Sequence, residues 1–282
     1  MNPGALSPLA ARWSIVGAAL LWSTGGAAIK STELGALQIA GGRALFAGLA
    51  VFILFPSSRQ RFTKAVWLTA GAYAAVTTLF VVANRYTTAA NAIFLQNIAP
   101  IWVLLFGVRW LGERPTRAEL WSVPVALLGS ALFLAEGFGA GRIRGDLAAL
   151  LASIAYATLI VRYRSMSPAE GLTATVLGNI IVFGLTLPAL YPLVSAHPSG
   201  SDLAALLYLG VVQQAVAAFL FVRGVNHTSA LEASLLILLE PLLAPVFAFL
   251  LVGEGIGPTA MAGAALVLAA TVGRTLATLR RS

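Results

Sequence analysis

The 282-residue sequence contains no cysteine, only two histidines and very little charge. Without cysteine, the chain has no disulfide, no cysteine-ligated metal and no thiol catalysis. Charged residues make up 10% of the sequence and apolar residues 59%, whereas a soluble domain has about 25% charged residues. So few charges cannot cover the surface of a soluble fold of this size. The composition therefore excludes a soluble enzyme, a disordered chain and a fibrous chain, and predicts an integral membrane protein.

The sequence also lacks the motifs of intramembrane enzymes and ATP-driven pumps. His197 and His227 fall in or beside predicted loops, so no histidine pair has metal-ligand spacing on one helix. No G-x-S-x-G nucleophile elbow is present, and neither Lys30 nor Lys64 follows a glycine as the lysine of a phosphate-binding loop would. We therefore predict no catalytic residue, no metal and no cofactor.

Long apolar runs are abundant. A bilayer core about 30 Å thick needs roughly 20 apolar residues per spanning helix. This length predicts an all-α integral membrane fold with ten transmembrane helices, the first retained because no clear cleavage site follows it. The ten segments are 12–30, 35–55, 64–84, 88–110, 117–136, 145–163, 170–194, 201–223, 228–252 and 258–277.

Lysine and arginine predict the orientation of these segments. If the N-terminus is cytoplasmic, thirteen of the 18 Lys and Arg lie on the cytoplasmic side, four lie outside and Arg43 lies within a span. The positive-inside rule then places both termini in the cytoplasm of a multi-pass protein of the cytoplasmic membrane. The net charge of +8 is thus a topology signal, and we expect the lipid bilayer and no nucleic acid as a partner.

The sequence also repeats itself. At an offset of 141 residues, the stretch 87–113 aligns with 228–254 without a gap, and eight of the 27 positions are identical. The identities include a proline in each stretch, Pro100 and Pro241, and a terminal Gly-Glu pair. Two five-helix halves, 12–139 and 145–278, follow from this match. Because five is odd, the second half enters the membrane from the opposite side, as in the inverted repeats of secondary transporters.

These features carry a resemblance that spans nearly the whole chain. The sequence resembles the drug/metabolite transporter superfamily in its EamA-type ten-helix form, on these residues: Leu21-Trp22-Ser23-Thr24, Arg43, Tyr86-Thr87-Thr88-Ala89-Ala90, Pro100, Gly112-Glu113, Gly145-Asp146, Thr228-Ser229-Ala230, Pro241 and Gly253-Glu254. It resembles the bacterial amino-acid and metabolite exporters of that superfamily more than the organelle exchangers. The resemblance implies transport of small organic solutes and does not identify the substrate.

Two charged residues inside spans are candidates for the substrate pathway, because an intramembrane charge is costly. Glu240 lies roughly 18 Å into the ninth segment at 1.5 Å per residue. It is read as a proton acceptor, as a partner for a substrate ammonium, or as a packing residue. Arg43 lies in the second segment. Three roles are open for it: to attract a substrate carboxylate, to pair with an acidic residue, or to snorkel outward. Pro100 and Pro241 predict helix kinks that line a cavity.

Uncharged polar and aromatic side chains complete the predicted pathway. The amides hydrogen-bond either a zwitterion or a neighbouring helix, and the aromatic rings either line an apolar or cationic site or simply pack. Thr24 and Thr77 belong to the set, although a threonine in a span usually bonds back to its own helix. The predicted set comprises Trp22, Thr24, Tyr73, Thr77, Asn91, Gln96, Asn97, Trp102, Tyr156, Asn179, Gln213 and Gln214.

The sequence therefore predicts a secondary transporter that works by alternating access between its two halves and exports amino acids or related solutes. A small-molecule substrate is its expected partner, with a proton as one candidate coupling ion. A multidrug or organic-cation exporter is the alternative within transport, and a channel or an intramembrane enzyme is the alternative outside it. The substrate, the coupling ion and the oligomeric state do not follow from the sequence.

Overall fold

The fold comes from a computed structural model that describes residues 6–87, 89–134, 143–196, 198–243, 247 and 258–279. The described residues form helices, turns and loops, and none of them lies in a β-strand. Helices account for most of this part of the chain because the long apolar runs must satisfy their backbone hydrogen bonds internally.

The first half begins with a helix that is interrupted at Thr24 and continues with longer helices separated by short loops. A π-helical stretch, Gly107–Leu111, extends the sixth of these helices. The helices are α1 (Pro8–Ser23), α2 (Gly25–Lys30), α3 (Ala36–Leu54), α4 (Lys64–Tyr86), α5 (Ala89–Gln96), α6 (Ala99–Phe106) and α7 (Arg117–Leu134).

The second half begins with two long helices and ends with a third, and the helices between them are shorter. A nine-residue π-helical stretch, Tyr208–Val216, joins two of them without a break. The helices are α8 (Ile143–Arg164), α9 (Pro168–Ala196), α10 (Gly200–Leu207), α11 (Ala217–Val225), α12 (Ala230–Ile237), α13 (described over 239–243) and α14 (Pro258–Leu279).

Serine and threonine set several of the helix starts. The Ser7 hydroxyl accepts from the Ala10 N–H at 3.2 Å, and the Thr63 hydroxyl accepts from the Val66 N–H at 3.3 Å. Ser229 does the same for the Glu232 N–H at 3.1 Å. Each cap satisfies a backbone donor that the first helical turn leaves without a partner.

The described helices lie in the ten segments that the sequence predicts. Five stretches are long and apolar enough to cross a membrane: Ala36–Leu54, Lys64–Tyr86, Ile143–Arg164, Pro168–Pro192 and Gly200–Val225. In the first, fourth and ninth segments the helix is interrupted instead, so the described pieces are too short to count by length alone. The all-helical, membrane-type fold is confirmed, while the number of spans stays a prediction.

The interruptions of the fourth and ninth segments occupy matching places. At the offset of 141 residues, α5 corresponds to α12, and the turn at 97–98 corresponds to the turn at Leu238. A proline follows each turn, at Pro100 and Pro241. Because proline has no N–H, it cannot bond the carbonyl four residues earlier, and the helix is interrupted just before it.

The two halves interlock by packing helices of one against helices of the other. The α3 helix packs against α9, and α4 packs against both α8 and α9. The α1 helix packs against α11, and α7 packs against α14. Each of these pairs joins the first half to the second, so the space between the halves is the centre of the molecule.

Candidate functional site

A central cavity lies between the halves, with an empty volume of about 580 Å³ that is partly open to the outside. Its walls combine apolar and aromatic surface with a few polar groups, as a site for a small organic molecule does. The lining residues are Trp22, Arg43, Tyr73, Val76, Thr77, Phe80, Gln96, Tyr156, Leu159, Tyr163, Gln213, Gln214, Ala218 and Glu240.

Arg43 reaches this cavity from α3 and is only 3% exposed. Its Nη2 donates a hydrogen bond to the Thr77 carbonyl of α4 at 2.8 Å. The Thr77 hydroxyl bonds back to the Tyr73 carbonyl at 2.9 Å, as is usual for threonine in a span. Within the described part of the chain, no carboxylate forms an ion pair with Arg43. The guanidinium therefore stays inside the fold and does not snorkel outward.

Tyr73 is the centre of a buried hydrogen-bond cluster. Its phenolic oxygen accepts from Asn179 Nδ2 of α9 at 3.1 Å and from Gln214 Nε2 at 2.8 Å. Asn179 also donates to the Thr175 carbonyl at 2.9 Å, and the Thr175 hydroxyl bonds Tyr163 Oη at 2.7 Å. The cluster joins α4 of the first half to three elements of the second, namely α8, α9 and the π-helical stretch.

Glu240 supplies the acidic group of the cavity from α13, just after the turn at Leu238. It is 7% exposed. Among the residues that the structure describes, none donates a hydrogen bond to its carboxylate or pairs with it. Burying an unpaired carboxylate is costly, so this group is expected to bind a proton or a cationic partner.

Aromatic rings form part of the same wall. Trp22 packs edge-on against Tyr156, with ring centroids 6.3 Å apart, and also contacts Phe221 at 5.3 Å. Tyr156 Oη is buried and has no hydrogen-bond partner among the described residues. These rings give the cavity an apolar face beside its charged groups.

The π-helical stretch explains why two adjacent glutamines, Gln213 and Gln214, both line the cavity. A π-helix has more residues per turn than an α-helix, so neighbouring side chains are separated by a smaller angle. The Gln213 Nε2 donates to the Trp22 carbonyl at 3.4 Å. Because a carbonyl only accepts, this bond leaves Gln213 Oε1 as the free atom, and that atom is buried without a partner.

The structure brings nine of the predicted pathway residues together and places others elsewhere. Thr24 bonds the Tyr208 hydroxyl at 2.7 Å, and Trp102 donates to the Ser153 hydroxyl at 3.0 Å, both away from the lining. Asn97 donates to the Ile93 carbonyl at the helix interruption. Asn179 lies outside the lining and donates to the Tyr73 hydroxyl oxygen. Asn91 lies within α5, and its side chain lies outside the described residues.

Sequence reasoning missed several lining residues. Five lining residues are absent from the predicted set, namely Val76, Phe80, Leu159, Tyr163 and Ala218. Apolar side chains in a span have no sequence signal that separates a cavity wall from a lipid or helix contact. Helical spacing was the one usable clue, because Val76 and Phe80 lie within one or two turns of Tyr73 on α4.

A group of ionic contacts joins the halves at the end of the molecule where α1 begins. Gly112 ends the π-helical stretch in the left-handed conformation (φ 65°), which glycine adopts without strain. The next residue, Glu113, has its Oε1 3.3 Å from Arg164 Nε, and its Oε2 accepts from the Ala230 N–H at 3.0 Å. A carboxylate is favourable at the start of a helix such as α12.

A second pair of contacts lies at the same end. Arg12 Nε bonds Glu232 Oε1 at 2.8 Å, and the Ser229 hydroxyl donates to Glu119 Oε1 at 3.2 Å. These contacts again run from the first half to the second. We refer to Arg12, Glu113, Glu119, Arg164 and Glu232 as the inter-half ionic cluster.

Comparisons with known proteins agree with this architecture. The model of the EamA-like transporter family matches the chain twice, over residues 10–135 and 143–275. A protein of known crystal structure superposes with a TM-score of 0.81 at 20% sequence identity, covering 95% of this chain and 98% of that protein. At this identity the likeness shows the fold alone.

Two relatives are named as transporters. Uncharacterized transporter YwfM of Bacillus subtilis (strain 168) is 29% identical over 266 residues, covering 89% of this chain and 88% of its own. The probable terminal-alkyne amino-acid exporter of Streptantibioticus cattleyicolor is 29% identical over 191 residues, covering 65% of this chain and 63% of its own.

Proposed function

Because the chain belongs to the EamA-like transporter family, we propose that it is a secondary transporter that moves small organic metabolites by alternating access. The observation that carries this proposal is the central cavity, where a buried cation and a buried acid from different helices face a space of about 580 Å³. Inverted-repeat transporters bind their substrates between the halves, next to interrupted helices. The matched turns at 97–98 and Leu238 give this cavity such helices on both sides of the repeat.

The proposed arrangement in the membrane is ten spans in two inverted five-helix halves, 12–139 and 145–278, with both termini in the cytoplasm. The distribution of lysine and arginine supports this orientation. Exposed tryptophans support the ends of the proposed spans, since Trp13, Trp67, Trp110 and Trp121 lie near them and are each at least half exposed. The inter-half ionic cluster then lies at the cytoplasmic end.

The proposed substrates are amino acids or related solutes, and the proposed direction is export across the cytoplasmic membrane. The cavity supports this class because it offers Arg43 for an anionic group and Glu240 for a cationic one. A relative named as a probable terminal-alkyne amino-acid exporter adds support by its name. A proton is the proposed coupling ion, with Glu240 as its acceptor.

An organic-cation exporter is the second candidate. The contact of Trp22 with Tyr156 gives the cavity an aromatic face, and aromatic faces attract cations. With Glu240 nearby, such a face would suit a bulky apolar cation. The presence of Arg43 in the cavity makes this candidate less favourable, because a buried guanidinium repels a cationic ligand.

A transport screen in proteoliposomes tests the proposal. Purified protein is reconstituted, vesicles are loaded with single radiolabelled amino acids or with organic cations such as ethidium, and efflux is followed with and without a pH gradient. We expect protein-dependent efflux of at least one amino acid with an apolar side chain, accelerated when the outside is more acidic. Protein-free vesicles are the control.

Two outcomes would overturn the proposal in different ways. Efflux of cations without efflux of any amino acid would favour the organic-cation exporter. No protein-dependent movement of any solute, from protein shown to be folded by its tryptophan fluorescence, would contradict a role in transport of these classes.

A further inference from the structure

The hydrogen-bond donors and acceptors that line the cavity come from different elements. The donors lie on α3 and α4, and the acceptors lie on α5, the π-helical stretch Tyr208–Val216 and α13. The division begins with Tyr73, whose oxygen already accepts two hydrogen bonds, from Asn179 and Gln214. The Asn179 amide has its nitrogen toward Tyr73 because that same nitrogen donates to the Thr175 carbonyl. Tyr73 therefore acts as an acceptor toward its protein neighbours, and its own O–H proton is left for another partner.

That proton has no acceptor among the residues that the structure describes. Tyr73 is 4% exposed and lines the cavity. A buried hydroxyl that leaves its proton unbonded is costly. Because Tyr73 lines the cavity, a molecule bound there can supply the acceptor.

Arg43 adds a charged donor beside this hydroxyl. Its Nη2 bonds the Thr77 carbonyl, and Thr77 lies one turn after Tyr73 on the same helix, so the guanidinium and the phenol belong to one wall. A guanidinium has five N–H donors in a planar fork that fits a carboxylate. The Thr77 bond engages one of its nitrogens and leaves the others for a ligand.

The acceptors come from other elements. Glu240 lies on α13, Gln213 on the π-helical stretch and Gln96 at the end of α5. The Oε1 atoms of Gln96 and Gln213 are buried and have no donor among the described residues. A carboxylate with two amide oxygens provides the acceptors that a protonated amine with three N–H donors needs.

We propose that Arg43 and Tyr73 form a carboxylate subsite, that Glu240 with the free oxygens of Gln96 and Gln213 forms an ammonium subsite, and that the substrate is zwitterionic. This inference rests on the proposed function and extends it, because it assigns each pole of the substrate to named atoms. Asn179 and Gln214 are positioning residues, since they hold the Tyr73 oxygen and direct its proton into the cavity.

The test compares ligands that share a side chain and differ in their poles. Binding of L-leucine, L-leucine methyl ester and isopentylamine to the purified full-length protein is measured by isothermal titration calorimetry. The variant Tyr73→Phe removes the hydroxyl without changing the ring. We expect it to weaken L-leucine binding about 10- to 100-fold, the range for a hydrogen bond to a charged group, and to change binding of the ester and the amine by less than about threefold.

Tyr208→Phe is the matched control. The Tyr208 hydroxyl bonds Thr24, and Tyr208 lies outside the cavity lining. We expect this variant to keep the parent ratio of leucine to ester affinity. An equal loss for all three ligands in Tyr73→Phe, or no loss for leucine, would overturn the carboxylate subsite.

A second variant covers the case in which Tyr73→Phe does not fold. Gln214→Leu leaves the Tyr73 hydroxyl in place and removes one of the two donors that orient it. It is expected to lower leucine affinity relative to the ester, which a purely structural role would not do. A parent protein that binds isopentylamine and not leucine would end the zwitterion inference while leaving transport intact. A parent that binds leucine but moves no solute would instead end the proposed function.

Discussion

Glu240 is an ionisable residue in a buried position, where a charge is costly. It lies within the membrane-type core, and none of the described residues neutralises its carboxylate. Two physical solutions exist, a bound proton or a cationic ligand, and exchange of one for the other would couple a proton gradient to the movement of an ammonium group. Arg43 forms no ion pair with Glu240 in the described structure, and its guanidinium bonds the Thr77 carbonyl instead.

The variant Glu240→Gln tests this exchange. Glutamine has nearly the same shape, so the fold should persist, but it neither takes up a proton nor carries charge. We expect pH-gradient-driven efflux in proteoliposomes to fall about tenfold or more, in line with the loss of a charge-assisted bond. The control Glu170→Gln changes an acid that bonds Ser167 at the start of α9, outside the cavity lining. If Glu240→Gln kept normal gradient-driven flux, Glu240 would not be the proton site.

Among single residues, the sequence predicted the polar residues of the cavity better than the aromatic and apolar residues of its walls. Arg43, Glu240 and Gln213 could be selected because a polar group inside an apolar span has a cost that demands a reason. Tyr163 and Leu159 could not, since one apolar span looks the same on its lipid side and on its cavity side. Thr24 and Trp102 were selected on depth, but depth does not specify direction, and their bonds to Tyr208 and Ser153 turn them away from the cavity.

The elements that shape the cavity are interrupted or widened helices. Proline made two of them predictable, since Pro100 and Pro241 each follow a turn in equivalent segments. The interruption at Thr24 and the π-helical stretch Tyr208–Val216 were not predicted, because no residue type enforces either one. Both depend on tertiary contacts, which local sequence does not encode.

Gly210 shows how closely such an element approaches its neighbour. It lies in the π-helical stretch, and a Cβ there would come within 2.5 Å of Phe46 Cβ and 2.7 Å of the Arg43 carbonyl oxygen. The stretch belongs to the second half and α3 to the first. A side chain at this position would therefore separate the halves at the level of Arg43.

The variant Gly210→Ala should destabilise the protein by about 1–3 kcal/mol, the usual cost of overpacking. Gly71→Ala is the matched control, because a Cβ there meets nothing within 4 Å and alanine favours a helix over glycine by roughly 0.5–1 kcal/mol. Thermal unfolding in detergent, followed by intrinsic tryptophan fluorescence, measures both. A Gly210→Ala protein as stable as its parent would mean that this close approach does not hold the halves together.

For the whole molecule, composition and the internal repeat were enough to predict a helical membrane protein, because both are global properties, while the family followed from the resemblance of its motifs. The correspondence of the fourth and ninth segments was also visible, since one offset aligns their prolines, Pro100 and Pro241, and their terminal Gly-Glu pairs. The interlocked packing of α3 on α9 and of α7 on α14 was not. The helix faces that meet between the halves are determined by small residues and by shape. The sequence of an apolar span does not distinguish these faces from the others.

The inter-half ionic cluster joins the two halves at one end of the molecule. Glu113 holds both Arg164 and the first N–H of α12, while Arg12 bonds Glu232. In the proposed topology all these groups lie at the cytoplasmic end. A transporter that alternates access must break such contacts to open that end, so weakening them should shift the population toward the cytoplasm-open form.

The variant Glu113→Gln keeps the side-chain shape and removes its charge. A partly exposed ion pair contributes up to about 1 kcal/mol, so we expect roughly a fivefold rise in the open population. Ser234→Cys, buried on α12 between the cluster and Glu240, reports it by faster labelling with a membrane-impermeant maleimide from the cytoplasmic side. Because the chain has no cysteine of its own, this probe has no background.

Glu33→Gln is the control for this last prediction, since it makes the same change at an exposed residue between α2 and α3, at the opposite end. It should leave the Ser234→Cys labelling rate at the parent value. High salt should act like Glu113→Gln, because screening weakens a partly exposed pair. Unchanged labelling in Glu113→Gln would show that the cluster stabilises both forms equally, and slower labelling would show that it favours the open form, since a contact shifts an equilibrium only by the difference in its strength between the two states.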